Sequence, residues 1–245
     1  MDRYEDARRE AEARFAAGWR PKKLLGGENL KLKKAEKLNW RGLGLSLAPA
    51  DISGWEVCAS RSPDCTKHCI FMSGKGPLFS VMWARIFRTV WYFRDRKSFV
   101  EQLMKEIDAN QDAAIRLNVF SDIPWERLFP EIFSDFTKTQ FYDYTKHANR
   151  MFRVRPDNYH LTFSLHENNQ AAARSVLEAG MNVAAVTTRA GGELFGFPVI
   201  DGDEHDLRFL DPGPAVVGLK PKGSLRGGSE EMIYDPTYSG ELEAA

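Results

Sequence analysis

Short apolar runs alternating with helix-like stretches constrain this chain more than any other feature. GLGLSLAP (42–49), AIRLNVFSD (114–122), QFYDYTK (140–146), YHLTFSLHE (159–167), MNVAAVTT (181–188), FPVID (197–201) and AVVGLK (215–220) read as seven strands. Between them lie PLFSVMWARIFRTVWYFRD (77–95), SFVEQLMKEIDA (98–109), PWERLFPEIFSDF (124–136) and NNQAAARSVLEAG (168–180). These carry helix signals: Pro77 suits a first turn, Ser98 with Glu101 forms a capping box, and Gly180 is a stop. Pro130 interrupts the third helix. Strands separated by helical crossovers form a parallel sheet. The expectation is an α/β fold built on a partial or complete TIM-like (β/α) barrel.

The flanks differ in texture. In residues 1–40, Ala7, Ala11, Phe15 and Trp19 recur every four positions, with Tyr4 on nearly the same side, and predict a helix over 2–19 packed outside the core. Pro21 and Gly26–Gly27 end it, and Lys31, Lys33, Lys34 and Lys37 follow as a solvated basic run. Residues 1–40 are therefore read as an N-terminal helical extension, 41–225 as the barrel-like domain, and 226–245 as an irregular tail. Lys plus Arg balances Asp plus Glu at 34 each, so no global charge directs the chain to nucleic acid or membrane. No apolar run approaches the ~20 residues of a membrane span, and MDRYEDARRE is too charged for a signal peptide. A cytoplasmic protein is expected.

In parallel α/β sheets, ligands gather at the C-terminal strand ends. Here those ends carry Asn118, Ser121 and Asp122; Asp143 and Lys146; Ser164 and Glu167; and Lys220. Together they are the candidate cofactor- or substrate-binding residues. His68, His160, His166 and His205 are possible metal ligands, but no H-E-x-x-H pair occurs. DGDEHD (201–206) is rich in acidic oxygens yet lacks calcium-loop spacing, and reads as a solvated turn. Rossmann and Walker signatures are missing.

All three cysteines fall in one loop, 58–76, directly after the first long strand. Cys58, Cys65 and Cys69 are spaced C-x6-C-x3-C. In a reducing cytoplasm, clustered thiols point to metal rather than disulfide. Thiolates suit an iron–sulfur cluster or zinc. His68 is the local fourth ligand for zinc, but it adjoins Cys69 in sequence, which makes joint ligation of one ion awkward. A [4Fe–4S] cluster held by three cysteines avoids this and leaves one iron open. Iron–sulfur, zinc and unligated thiols all stand as readings, with the cluster preferred.

A three-cysteine loop after the first strand of a partial α/β barrel resembles the radical S-adenosylmethionine (SAM) enzymes. That resemblance implies SAM at the open iron, with electron transfer from the cluster to SAM. The spacing departs from the usual C-x3-C-x2-C, and no glycine-rich SAM motif follows the second strand. A second resemblance covers roughly residues 40–225. The loop ending in SGKG, ARIFRT (84–89), RLNVFSDIPWE (116–126), FYDYTK (141–146), NYHLTFSLHENN (158–169), HDLRFLDP (205–212) and VVGLKPKG (216–223) are similar to the bacteriophage gene product 88 family. It implies a phage-encoded protein acting in an infected bacterial cytoplasm.

The leading expectation is thus a [4Fe–4S] protein of radical-SAM-like design acting on a small molecule. One alternative is a non-catalytic factor binding nucleic acid or a host protein, with zinc or a cluster as a staple. Another is a Mg²⁺-dependent hydrolase or nuclease using Asp122, Asp143 and DGDEHD.

Overall fold

The computed structural model describes residues 3–27, 34–228 and 231–236. Its strands are β1 (Leu25–Gly26), β2 (Arg41–Leu45), β3 (Ala113–Arg116), β4 (Gln140–Thr145), β5 (Tyr159–Ser164), β6 (Val183–Thr187), β7 (Glu193–Leu194), β8 (Phe197–Asp201), β9 (Val216–Leu219) and β10 (Ile233–Tyr234). Its α-helices are α1 (Arg3–Ala16), α2 (Ala50–Ser53), α3 (Pro63–Lys67), α4 (Phe79–Arg94), α5 (Arg96–Asp108), α6 (Trp125–Leu128), α7 (Glu131–Ser134), α8 (Ala148–Met151) and α9 (Gln170–Glu178). Lys31, Lys33 and residues 237–245 of the expected tail lie outside the described residues.

Among the described residues, the fold is mixed α/β with a mostly parallel sheet of ten strands, as the alternation of segments predicts. Its order is β1–β2–β3–β4–β5–β6–β9–β8–β7, with β10 beside β6. Among the described residues this path has two ends and does not close into a barrel. The physical reason lies at the edges. Two-residue antiparallel strands, β1 on β2 and β7 on β8, occupy the positions that a closing pair would need.

By contact, the chain divides into two units. The first comprises Met1–Ala59, Phe71–Phe141 and Pro156–Tyr159; the second comprises Ser60–Ile70, Tyr142–Arg155 and His160–Ala245. The loop expected to act as one cradle is therefore shared out: Cys58 belongs to the first unit, Cys65 and Cys69 to the second.

In the first unit, β2 and β3 pair in parallel over Arg41–Gly44, and β3 pairs with the start of β4. Helix α1 packs on α4. Ala7 and Ala11 are wholly buried, small enough for close approach of the two helices, and Trp19 sits edge-on to Phe87 at 4.7 Å. Met82, Ile86, Phe87 and Val90 recur at helical spacing as the buried stripe of α4. Helix α5 begins three residues earlier than Ser98 as N-cap predicts. Asp95 is the N-cap, its carboxylate accepting from the Ser98 amide at 3.2 Å, while the Ser98 hydroxyl accepts from Trp91 Nε1. Pro130 separates α6 from α7, as expected.

In the second unit, β5, β6, β9 and β8 are successive parallel neighbours. Val183, Val216, Val217 and Phe163 are completely buried, the residue types that a strand covered on both faces requires. A Cβ at Gly218, in β9, would lie 2.8 Å from Thr187 Oγ1 and 2.9 Å from Val199 Cγ1, so no larger residue fits between β6 and β8. Part of the stretch read as an irregular tail is ordered pairing: Ile233–Tyr234 runs parallel to the end of β6.

Candidate functional site

The cysteine loop is local structure first. Within the first unit, the Cys58 amide donates to Glu56 Oε1, and the Asp122 amide donates to the Val57 carbonyl at 2.7 Å. The loop after β3 thereby fixes the chain beside Cys58. Within the second unit, Cys65 sits in α3. Ser62 caps this helix by accepting from the Cys65 amide at 3.1 Å, and Pro63 occupies its first turn. His68 Nδ1 lies 3.0 Å from Ser224 Oγ. None of the three cysteines is in a disulfide, and all are of intermediate exposure.

The C-terminal ends of β4 and β5 bring three of the expected residues together. Lys146 Nζ donates to Ser164 Oγ at 3.2 Å. Glu167, three residues beyond β5, accepts from Ser62 Oγ at 2.8 Å and from the Asp64 amide at 3.2 Å. The turn carrying it is braced by Asn169, whose side chain accepts from the His166 amide and donates to the Ser164 carbonyl. Between Ser164 and Glu167, His166 is buried, with Nδ1 accepting from the Asn168 amide at 3.2 Å and lying 3.8 Å from Glu167. The neutral ring therefore carries its proton on Nε2. Burial pushes its pKa down, the Lys146 ammonium pushes it further, and Glu167 opposes both. Tyr234, in β10, is pushed up to about 12, chiefly by burial.

Asn118 and Ser121 are buried in the first unit and brace their own loop. Asn118 Oδ1 accepts from Ser121 Oγ, the Ile123 amide and Trp125 Nε1, and Nδ2 donates to the Ile123 carbonyl. Asp143 is completely buried in β4. The Lys220 side chain is exposed, while its amide donates to Asp203 Oδ2. Asp203 also accepts from Lys222 Nζ at 2.8 Å, an ion pair that neutralises the Asp203 charge locally. Nearby, Asp206 accepts from the Tyr144 hydroxyl at 3.3 Å, and wholly buried Arg208 lies 3.1 Å from Asp211. Burial pushes His160 down to about 4, and the cations of Arg155 and Arg208 add to the shift.

Sequence reasoning missed Ser62, Asp64 and Tyr234 as members of this neighbourhood, whereas it named His166 at its strand end and as a possible metal ligand. Ser62–Pro63–Asp64 is a helix-start signal that points to α3. Tyr234 had no such signal, because two residues of strand carry no readable period.

Partly exposed thiols outside any disulfide are the right kind of donor for iron–sulfur or zinc chemistry. Their arrangement is another matter. Among the described residues, no group of three or more His, Cys, Asp or Glu side chains is placed to hold a metal ion. No chemical step is therefore drawn through a metal ion.

Fold and site together define an α/β protein with an open, mostly parallel sheet and a polar cluster at the C-terminal ends of two strands. The chain belongs to the Gene product 88 family, whose model matches residues 21–235. No curated protein and no solved structure matches it significantly. Among the described residues, no helix is long and apolar enough to cross a membrane.

Proposed function

We propose that this protein binds a small anionic molecule at the C-terminal ends of β4 and β5, in an enzyme-type site. The observation that carries this reading is the Lys146–Ser164 hydrogen bond beside the neutral imidazole of His166. Lys146 supplies a positive charge, Ser164 a hydroxyl, and His166 an Nε2–H donor. Carboxylate and phosphate groups both accept from such a set. Glu167 does not share this role, because each of its oxygens accepts from the start of α3. The proposed setting is the cytoplasm of an infected bacterium.

The test is titration of the full chain with inorganic phosphate, citrate and SAM, followed through the His166 imidazole resonances. A saturable shift that is lost in Lys146→Met supports the reading. No saturable shift with any of the three, or an identical one in the variant, overturns it.

A second reading retains the cysteines as ligands of a [4Fe–4S] cluster, with SAM as the small molecule. Two observations favour it. The cysteine loop follows β2, the first of the parallel strands, and α3 is anchored to the end of β5 by Glu167. It requires the three thiols to close on the cluster as it binds. Anaerobic purification with iron and sulfide analysis decides the matter. Iron that disappears in each of Cys58→Ala, Cys65→Ala and Cys69→Ala supports a cluster, and iron-free protein after reconstitution with iron and sulfide sinks it.

A further inference from the structure

Glu167 has a side chain only about 10% exposed, and a carboxylate so placed needs donors close by. It finds them on a segment more than a hundred residues away. Oε2 takes the Ser62 hydroxyl, Oε1 takes the Asp64 amide, and Ser62 Oγ in turn accepts from the Cys65 amide. The carboxylate thus reaches Cys65 through one intermediate side chain. Helix α3 has five residues, far below the length at which a helix holds its own conformation in water. Its placement depends on contacts at its ends, and Glu167 supplies two of them at the start.

We propose that Glu167 is the positioning residue for Cys65: it clamps the start of α3 to the turn after β5 and so sets the exposure of that thiol. The clamp has a chemical logic. A carboxylate accepts from two donors at once, and a bond to a charged acceptor contributes more than a neutral one. Loss of the carboxylate leaves the Asp64 amide and the Ser62 hydroxyl without their acceptor, and the single turn carrying Cys65 opens. The inference stands on the thiol and its helix, and it holds whether or not a cluster binds. Under the iron–sulfur reading, the same residue sets where one of the three ligands is presented.

The experiment is pulse alkylation of the reduced full-length protein with iodoacetamide, each cysteine quantified by peptide mass. In Glu167→Ala, Cys65 is expected to react about tenfold faster, because local opening becomes cheaper, while Cys58 in the same molecule keeps its rate. Glu167→Gln keeps the size and one acceptor oxygen, and should return Cys65 to within about threefold of the parent rate. Ser62→Ala removes the relay and should raise the Cys65 rate alone, so it decides the question if Glu167→Ala fails to fold. An unchanged Cys65 rate in the folded variants overturns the proposal, as does an equal rise at Cys58, Cys65 and Cys69. The iron analysis described above is a separate readout, so the clamp and the cluster can fail independently.

Discussion

Glu167 and Ser62, 105 positions apart in sequence, share a 2.8 Å hydrogen bond that joins the turn after β5 to the start of the cysteine-bearing helix. The bond gives two sequence features a common explanation. The polar strand end reads as a loop and the SPDC segment as a helix start, and the Glu167 carboxylate joins the two. It also separates the roles of neighbours. Lys146, Ser164 and His166 form the cationic, donor-rich part of the proposed site, whereas the Glu167 carboxylate accepts from the start of the cysteine helix.

The His166 titration tests this division directly. Lys146 depresses its pKa and Glu167 raises it, with burial the larger depressing cause. Lys146→Met is expected to raise the His166 pKa, and Glu167→Gln to lower it further, in NMR titrations of the imidazole. A shift in the opposite direction for either variant would contradict the placement of these charges.

Asn118 separates a brace from a ligand-binding group. Its side-chain oxygen serves Ser121, the Ile123 amide and Trp125, in the loop after β3 and at the start of α6. Asn118→Ala leaves buried donors unserved, at a cost of about 2–4 kcal/mol in chemical unfolding. Anion binding detected at His166 should be unaffected. Selective loss of binding, with unfolding free energy unchanged, would restore Asn118 to the site.

The contrast between Asn118 and Ser164 shows what was legible in the sequence. Both close a predicted strand, and both are hydrogen-bonding types at the expected C-terminal end. Periodicity located the strands because apolar side chains must face the core at fixed intervals. It could not say whether a polar side chain turns to its own loop or to a neighbouring strand, since that depends on contacts far away in sequence. Ser164 meets Lys146 across 18 positions, while Asn118 turns to residues within seven. Barrel closure was illegible for a similar reason. Two-residue strands such as β1 and β7 leave no periodic trace, yet they occupy the sheet edges.

Gly76 gives a structural account of the SGKG turn. A Cβ there would collide with the Phe71 carbonyl oxygen, which also accepts from Arg85 Nη1 at 3.2 Å. Arg85 itself lies over the rings of Phe71 and Phe120, at 4.8 and 4.3 Å from their centroids. The turn therefore has no room to shift without disturbing a buried ring. Gly76→Ala is expected to destabilise by roughly 3 kcal/mol, as overpacking against backbone does. Gly74 has φ of +58° and open space around it, so Gly74→Ala should cost only about 1 kcal/mol. Equal losses for the two in urea unfolding would remove the steric explanation.

His160 sets an acid limit on stability. Its folded pKa is about 4 against 6.5 for the free side chain, because burial and the cations of Arg155 and Arg208 disfavour the imidazolium. Depression of a folded-state pKa means that the unfolded chain binds the proton first. The contribution is intact above pH 6.5 and is lost as pH falls from there towards 4. The 2.5-unit gap corresponds to up to about 3 kcal/mol, less whatever solvent screening remains around the partly exposed ring. Urea unfolding at a series of pH values should show stability falling through this window, and His160→Gln should flatten that part of the profile. A variant whose acid profile superimposes on the parent's would show that His160 is not the group responsible.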